Sequence, residues 1–178
     1  MPSYKLRYFD LRGRAEPIRM LFALADVPFE DERIPLGDLA KVKESYYGSD
    51  LLEAARIDGF SDLISDFISA FFKWHVVNTG FVPGDKDALY KDIFIPARDK
   101  HFALFQKYLK QSSSGFLVGS KVSFADLRLA TLADMLQTLS PKPAELFEGF
   151  PEIKIHKDKV FALPAIAKHV ETRAAVLF

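Results

Sequence analysis

The chain has 178 residues, 49% of them hydrophobic, so it can bury a core as one domain or as two small ones. Its 24 Lys and Arg residues balance its 24 Asp and Glu residues, which argues against a nucleic-acid binder and against electrostatic docking on anionic membranes. It contains no cysteine, which excludes disulfide scaffolds, zinc–thiolate sites and cysteine nucleophiles and fits a reducing compartment.

Two strands and a helix are predicted in the first 35 residues. Alternating side chains indicate a strand over residues 3–9, and residues 28–34 indicate a second, weaker strand. Between them, residues 15–25 place apolar side chains at helical spacing. Strand, helix and strand with short links predict a βαβ unit with parallel strands. Because two strands rarely stand alone, either the sheet is completed elsewhere or part of it is missing.

From about residue 50 onward the pattern is almost entirely helical. Helices are predicted over residues 57–71, 93–108, 123–138 and 163–173, with a loop at 80–85. Pro96 should kink the second of these helices, since proline lacks the backbone N–H. The run from Ser123 to Asp126 is a capping-box variant that starts a helix, so we interpret it as structural.

The opening segment resembles the start of sigma-class cytosolic glutathione transferases, particularly nematode members. The matching residues are Tyr4-Lys5-Leu6-x-Tyr8-Phe9 and Arg12-Gly13-Arg14-Ala15-Glu16-Pro17-Ile18-Arg19. The resemblance returns near residues 92–97, 114–119, 123–126 and 162–173, so it covers most of the chain. It implies an α/β plus all-α architecture: a thioredoxin-like N-terminal domain (1–45) and an all-helical C-terminal domain (49–178).

By this resemblance, the ββα half of the thioredoxin-like domain is missing. Residues up to about Ser45 resemble the end of the family's second helix, and residues from about Tyr46 resemble the linker to the helical domain. Two explanations stay open: the protein is shortened, or residues are missing between these positions. In the family, the missing half holds a Gln-Leu-Pro stretch that pairs with the peptide and a Gln-Ser pair that binds the γ-glutamyl carboxylate.

A tyrosine, an arginine and a helix start come together in the opening segment, and all three can stabilise an anion. A tyrosine hydroxyl can hydrogen-bond a thiolate, whose ordinary pKa is about 8.5. An arginine at a helix start adds to the positive end of the helix dipole. The resemblance assigns thiolate stabilisation to Tyr8 and Arg14. From the residues alone, Tyr8 could equally be a core strand residue and Arg14 a structural arginine.

The resemblance implies two further contacts with glutathione. Lys43 matches a lysine that contacts the glycine carboxylate, and Asp58 matches an acid that reaches across a dimer interface to the γ-glutamyl amine. Either residue could equally be a solvated surface group. Leu39 lies in the region where the family often has a tryptophan near the peptide, which removes an indole donor.

Other candidate groups carry weaker signals. The histidines lack metal-ligand spacing, so we expect no metal site; they are His75, His101, His156 and His169. Four aromatic residues could line an electrophile pocket, although aromatic residues at helical spacing are more often core; they are Phe9, Trp74, Phe102 and Phe178.

Two functional hypotheses follow. The first is a cytoplasmic, homodimeric glutathione transferase with glutathione as co-substrate and no permanent cofactor. It would conjugate the thiolate to apolar electrophiles, with prostaglandin isomerase or peroxidase side activity. The second is a catalytically degenerate, ligand-binding or structural (crystallin-like) member of the family. Neither hypothesis includes a nucleic-acid or membrane partner.

Overall fold

The computed structural model describes residues 4–10, 19–20, 22–23, 25–35 and 46–172. The chain divides into two compact units, Met1–Ser45 and Tyr46–Phe178. Three residues with predicted roles, Arg14, Lys43 and Phe178, lie outside the described residues, as does the side chain of Phe9.

The first unit contains a parallel pair of strands. β1 (Tyr4–Phe9) pairs with β2 (Phe29–Ile34), and Tyr4 lies opposite Phe29 in the register. Residues 19, 20, 22 and 23 are helical, and the Phe22 ring stacks on Phe29 with centroids 4.5 Å apart. The predicted parallel pairing is therefore confirmed. Among the described residues the sheet has no third strand.

The second unit is helical. Its elements are α1 (Leu51–Asn78), α2 (Lys86–Leu89), a π-helix (Tyr90–Phe94), α3 (Ile95–Gln111), α4 (Phe124–Leu139), a 3₁₀-helix (Pro143–Glu145), α5 (Pro151–Phe161) and α6 (Pro164–Thr172). The four helices predicted from the sequence are present, and α2 and α5 are additional helices. No helix among the described residues is both long enough and apolar enough to cross a membrane.

Large aromatic side chains fill the core of the helical unit. Phe67 and Phe71 of α1 meet edge to face with centroids 4.9 Å apart, and Phe67 also contacts Phe102 of α3 at 5.6 Å. Burying each such ring contributes about 1.5–3 kcal/mol. Trp74 and Phe102 are completely buried here. These two residues are therefore core residues, and the alternative that they line an electrophile pocket is wrong.

The interruption predicted at Pro96 takes the form of a π-helical turn. The Ile95 N–H donates to the Tyr90 carbonyl, five residues back, at the junction between the π-helix and α3. Pro96 has no N–H to offer the carbonyl of Asp92, so an ordinary α-helical bond is impossible at this point. The wider turn lets the helical path continue past the proline.

The capping box at the start of α4 is confirmed as a structural feature. The Ser123 hydroxyl accepts from the Asp126 N–H at 3.4 Å, and Asp126 Oδ2 accepts from the Ser123 N–H at 2.8 Å. Val122 and Leu127, which flank the box, pack against the same small apolar cluster. Val122 and Leu127 therefore act as a hydrophobic staple, which fixes the direction in which the chain enters α4.

Candidate functional site

Tyr8 lies one residue before the end of β1, and its side chain is half-buried. Alternate residues of a strand share a face, so Tyr8 is on the same face as Tyr4. Tyr4 contacts Phe22 of the helical segment, with ring centroids 5.5 Å apart. The phenol of Tyr8 is therefore carried at the carboxyl end of β1, on the face of the sheet that the helical segment contacts.

The register places a cation beside Tyr8 that sequence reasoning missed. Arg33 of β2 lies directly opposite Tyr8. Its guanidinium binds Asp31 at 2.9 Å and Asp10 at 3.1 Å. Only the pairing of the two strands brings Arg33 to this position, so no local signal in the sequence could have found it.

The charges around this strand pair balance one another. Arg19 binds Asp31 at 3.0 Å, so two arginines share the Asp31 carboxylate. Partial burial opposes the ionisation of Asp31, but hydrogen bonds from Arg19 and Arg33 outweigh it and hold the pKa of this carboxyl below its usual range. Since Arg33 also binds Asp10, the two arginines are matched by two carboxylates. Neither arginine therefore supplies uncompensated positive charge for a bound anion.

Asp58 is exposed on the first half of α1, and its carboxylate is engaged by its own chain. The Tyr47 hydroxyl donates to Asp58 Oδ1 at 2.6 Å. This hydrogen bond, together with burial, raises the pKa of Tyr47. Asp62 and Asp66 follow at spacings of four and eight residues, and both are exposed. The candidate acid predicted from the sequence is thus one member of an acidic stripe along α1.

A cavity of about 700 Å³ opens inside the helical unit. It is bounded by residues 56–63 of α1, by residues 108–111 of α3 and by the loop 112–119. Its volume lies within the range of small-molecule sites. The sequence analysis did not predict this cavity, because its walls come from segments about 50 residues apart.

The buried histidines have structural partners. His101 Nδ1 donates to the carbonyl of Ala97 at 2.7 Å, and the His101 ring stacks on Phe67. His156 Nε2 donates to Asp126 Oδ1 at 2.8 Å. Within the described part of the chain, no group of three or more His, Asp or Glu residues could hold a metal ion.

Comparison with known proteins gives a consistent match. Residues 66–173 match the family profile described as "Glutathione S-transferase, C-terminal domain". A Caenorhabditis elegans protein named "Probable glutathione S-transferase 8" is 34% identical over 210 aligned positions, which cover 100% of both chains. That alignment has 210 positions and this chain has 178 residues, so 32 positions face no residue of this chain.

Solved structures agree with the sequence match. Monomeric Na-GST-3 from the hookworm Necator americanus is 35% identical with a TM-score of 0.71, covering 99% of this chain and 100% of that one. A Nu-class enzyme from Haemonchus contortus is 33% identical with a TM-score of 0.67, covering 100% of both. Prostaglandin synthase D of Nilaparvata lugens is 26% identical with a TM-score of 0.62, covering 98% and 100%.

Proposed function

The chain belongs to the glutathione S-transferase family, and on that premise we propose that it conjugates the glutathione thiolate to apolar electrophiles, with Tyr8 hydrogen-bonding the sulfur. The observation that carries this proposal is the position of Tyr8, half-buried at the carboxyl end of β1 on the face that the helical segment contacts. Lowering a thiol pKa by two units needs about 2.7 kcal/mol. A hydrogen bond to a charged acceptor contributes about 1.5–3 kcal/mol, so one phenol supplies most of this free energy.

We assign the remaining contacts from the resemblance. Arg14 would add positive potential at the sulfur, since Arg19 and Arg33 are already neutralised by carboxylates. Lys43 would contact the glycine carboxylate of glutathione. Asp58 would offer a carboxylate to the γ-glutamyl amine of glutathione bound by a second copy, with Oδ1 already occupied by Tyr47. From the same resemblance we propose a homodimer, a cytoplasmic location and membership of the sigma class.

We also propose that the ββα half of the N-terminal unit is absent from this chain. The 32 aligned positions without a residue and the two-stranded sheet of the described residues are the observations behind this proposal. Its chemical consequence is the loss of the Gln-Leu-Pro and Gln-Ser contacts, which should weaken glutathione binding. Peptide mapping by mass spectrometry of the protein isolated from its source should give a peptide in which Tyr46 directly follows Ser45. A peptide with additional residues between Ser45 and Tyr46 would contradict the proposal.

A second candidate function is ligand binding without turnover. The cavity of the helical unit favours it, because the described residues that line this cavity all lie between positions 56 and 119 of that unit. Prostaglandin isomerisation or peroxidase activity would use the same thiolate as conjugation. The similarity to a prostaglandin synthase is the reason to assay isomerisation alongside conjugation.

The test is the rate of glutathione conjugation to 1-chloro-2,4-dinitrobenzene. We expect Tyr8→Phe to lower kcat/KM by about tenfold to hundredfold, the equivalent of one hydrogen bond to a charged group. Tyr4→Phe is the matched control, because Tyr4 is on the same face of the same strand; it should retain the parent rate. Equal rates for the parent and Tyr8→Phe would remove Tyr8 from the mechanism. Retention on immobilised glutathione without turnover would favour the second candidate.

A further inference from the structure

The linker that leads into α1, residues 46–50, is fixed to the first turn of that helix. The Asp50 carboxylate caps the helix and accepts from two backbone N–H groups, both at 2.8 Å. The Glu53 carboxylate returns to the linker and accepts from the Ser49 N–H at 2.7 Å and from the Ser49 hydroxyl at 2.8 Å. Gly48 approaches the helix so closely that a Cβ there would lie 2.6 Å from the Cβ of Glu53. These contacts determine where the side chains of the linker lie.

The aromatic ring of Tyr47 is held by packing. It stacks on Phe124, the first residue of α4, with ring centroids 6.2 Å apart and an angle of 19° between the rings. The half-buried Tyr47 also packs against the core of the helical unit. Phe124 directly follows the N-cap residue Ser123, so the surface under the ring is itself well ordered. The position of the Tyr47 hydroxyl is therefore set by packing as well as by its hydrogen bond.

The helices that carry Phe124 and Asp58 are also joined to each other beside this ring. Arg128 of α4 donates from Nη1 to the Ser61 carbonyl at 2.7 Å and from Nη2 to the Ser65 hydroxyl at 3.2 Å. Both acceptors belong to α1, within two helical turns of Asp58. The distance between the Tyr47 ring and the Asp58 backbone is therefore held by contacts that do not involve either side chain.

The Tyr47 hydroxyl engages one of the two carboxylate oxygens of Asp58. It donates to Oδ1 at 2.6 Å, a length typical of a hydrogen bond from a hydroxyl to an ionised carboxylate. This bond and burial raise the pKa of Tyr47, so the phenol stays protonated and remains a donor near neutral pH. From the rest of the described chain, no side chain or backbone N–H donates to Oδ2 of Asp58.

We propose that Tyr47 is a positioning residue for Asp58: it holds Oδ1, fixes the plane of the carboxylate and leaves Oδ2 to accept from the γ-glutamyl ammonium of glutathione. This proposal rests on the role that the proposed function gives to Asp58, and it adds the residue that orients that carboxylate. The last torsion of an aspartate is broad when nothing holds it. A carboxylate that is already oriented loses less conformational entropy when the ammonium binds. Tyr47 should therefore favour peptides that carry this ammonium.

A pair of peptides tests this role by isothermal titration calorimetry on the full chain. Glutaryl-cysteinyl-glycine lacks only the α-amino group of glutathione. The parent should bind glutathione about tenfold more tightly than this analogue, and Asp58→Asn should lose the preference. Tyr47→Phe should reduce the preference to about threefold, because the carboxylate keeps its charge but loses its orientation. Affinity for the analogue should stay within about twofold in both variants. Adding Tyr47→Phe to Asp58→Asn should change the preference no further.

Tyr46→Phe is the matched control, because Tyr46 precedes Tyr47 in the linker and its side chain is exposed; it should keep the preference of the parent. A Tyr47→Phe protein with the full preference, beside an Asp58→Asn protein without it, would overturn the role of Tyr47 alone. Equal losses for both peptides in Tyr47→Phe would show a merely structural role and also overturn it. A parent that binds both peptides equally, or neither, would overturn the roles of Asp58 and Tyr47 together. The expected preferences in a parent without conjugating activity would support Tyr47 and contradict only the proposed conjugation.

Discussion

The carboxylate of Asp126 is completely buried and accepts four hydrogen bonds from other described residues. Oδ1 accepts from the Leu117 N–H at 2.7 Å and from His156 Nε2 at 2.8 Å. Oδ2 accepts from the Ser123 N–H at 2.8 Å and from its hydroxyl at 2.6 Å. One side chain thus joins the start of α4 to α5 and to the loop that closes the cavity.

Asp126→Asn should destabilise the protein by about 3 kcal/mol, because an amide turns an NH₂ group toward donors and leaves them unsatisfied in the interior. Urea denaturation followed by circular dichroism measures this loss. Asp66→Asn, an exposed site on α1, is the control and should change the free energy of unfolding by no more than about 0.5 kcal/mol. A comparable effect of both substitutions would contradict the assigned role of Asp126.

His75 provides a test of the pH dependence of stability. Burial lowers the pKa of His75 below its ordinary value of 6.5. The unfolded chain therefore binds a proton at a higher pH than the folded chain, so acid favours unfolding. This destabilisation should begin as the pH falls below about 6.5 and level off below the folded pKa. The parent should lose stability relative to His75→Gln between about pH 7.5 and 5, measured by urea denaturation; parallel pH profiles would contradict this account.

The partners of some residues can be predicted from the sequence, whereas the partners of others depend on tertiary contacts. The spacing of Ser123 and Asp126 predicts their capping box, because both partners lie in one helical turn. The hydrogen bond from His156 to Asp126 joins residues 30 positions apart in the sequence, so no local pattern predicts it. Arg33 lies opposite Tyr8 only through the strand register.

At the scale of elements, glycines occupy three different environments. Gly59 is helical with open space where a Cβ would lie, and Gly80 has φ +82° with the same open space. Gly119 has φ +64°, and a Cβ there would lie 2.7 Å from Oε1 of Glu53. Glu53 is itself held by Ser49, so it cannot move aside freely.

Replacing each of these three glycines with alanine should therefore change the stability of the protein by a different amount. Gly59→Ala should stabilise by about 1 kcal/mol through helix propensity. Gly80→Ala should destabilise by about 1–2 kcal/mol through its left-handed backbone alone. Gly119→Ala should destabilise by more than Gly80→Ala, because a steric clash adds to the backbone strain. Thermal unfolding of the three variants gives this order, and any other order would contradict the environments described here.

Element prediction succeeded where apolar periodicity was strong and failed where a polar residue interrupted it. α1 buries Ile57, Ile64 and Phe71 at clear helical spacing, and the sequence predicts it. The buried face of α5 consists of Ile153, His156 and Val160. Because a polar histidine occupies one of these core positions, the apolar residues of α5 do not show a clear helical spacing. The spacing of apolar residues could not predict the π-helix before Pro96. Apolar spacing can show that a helix is interrupted, but it does not show which kind of turn forms at the interruption.

At the scale of the whole molecule, the two units differ in what could stabilise them alone. The described sheet of the first unit has two strands, and an isolated pair of strands is marginal in water. The second unit has a core that joins α1, α3, α4 and α5. A chain of this length can bury enough apolar surface to fold independently.

Residues 46–178, expressed alone, should fold with the helical circular dichroism and cooperative unfolding of the second unit. Residues 1–45 alone should give the spectrum of an unfolded chain, because their sheet lacks further strands among the described residues. A fragment 46–178 that remains unfolded would show that the helical core depends on the first unit.

In the function proposed for this protein, the Tyr8 hydroxyl keeps the sulfur of bound glutathione deprotonated near neutral pH. The most direct measurement is the thiol pKa of glutathione bound to the protein, taken from the ultraviolet absorbance of the thiolate during a pH titration. The pKa should lie well below about 8.5 in the parent and rise toward that value in Tyr8→Phe, with Tyr4→Phe unchanged. A bound thiol with the same pKa in the parent and in Tyr8→Phe would contradict the claim.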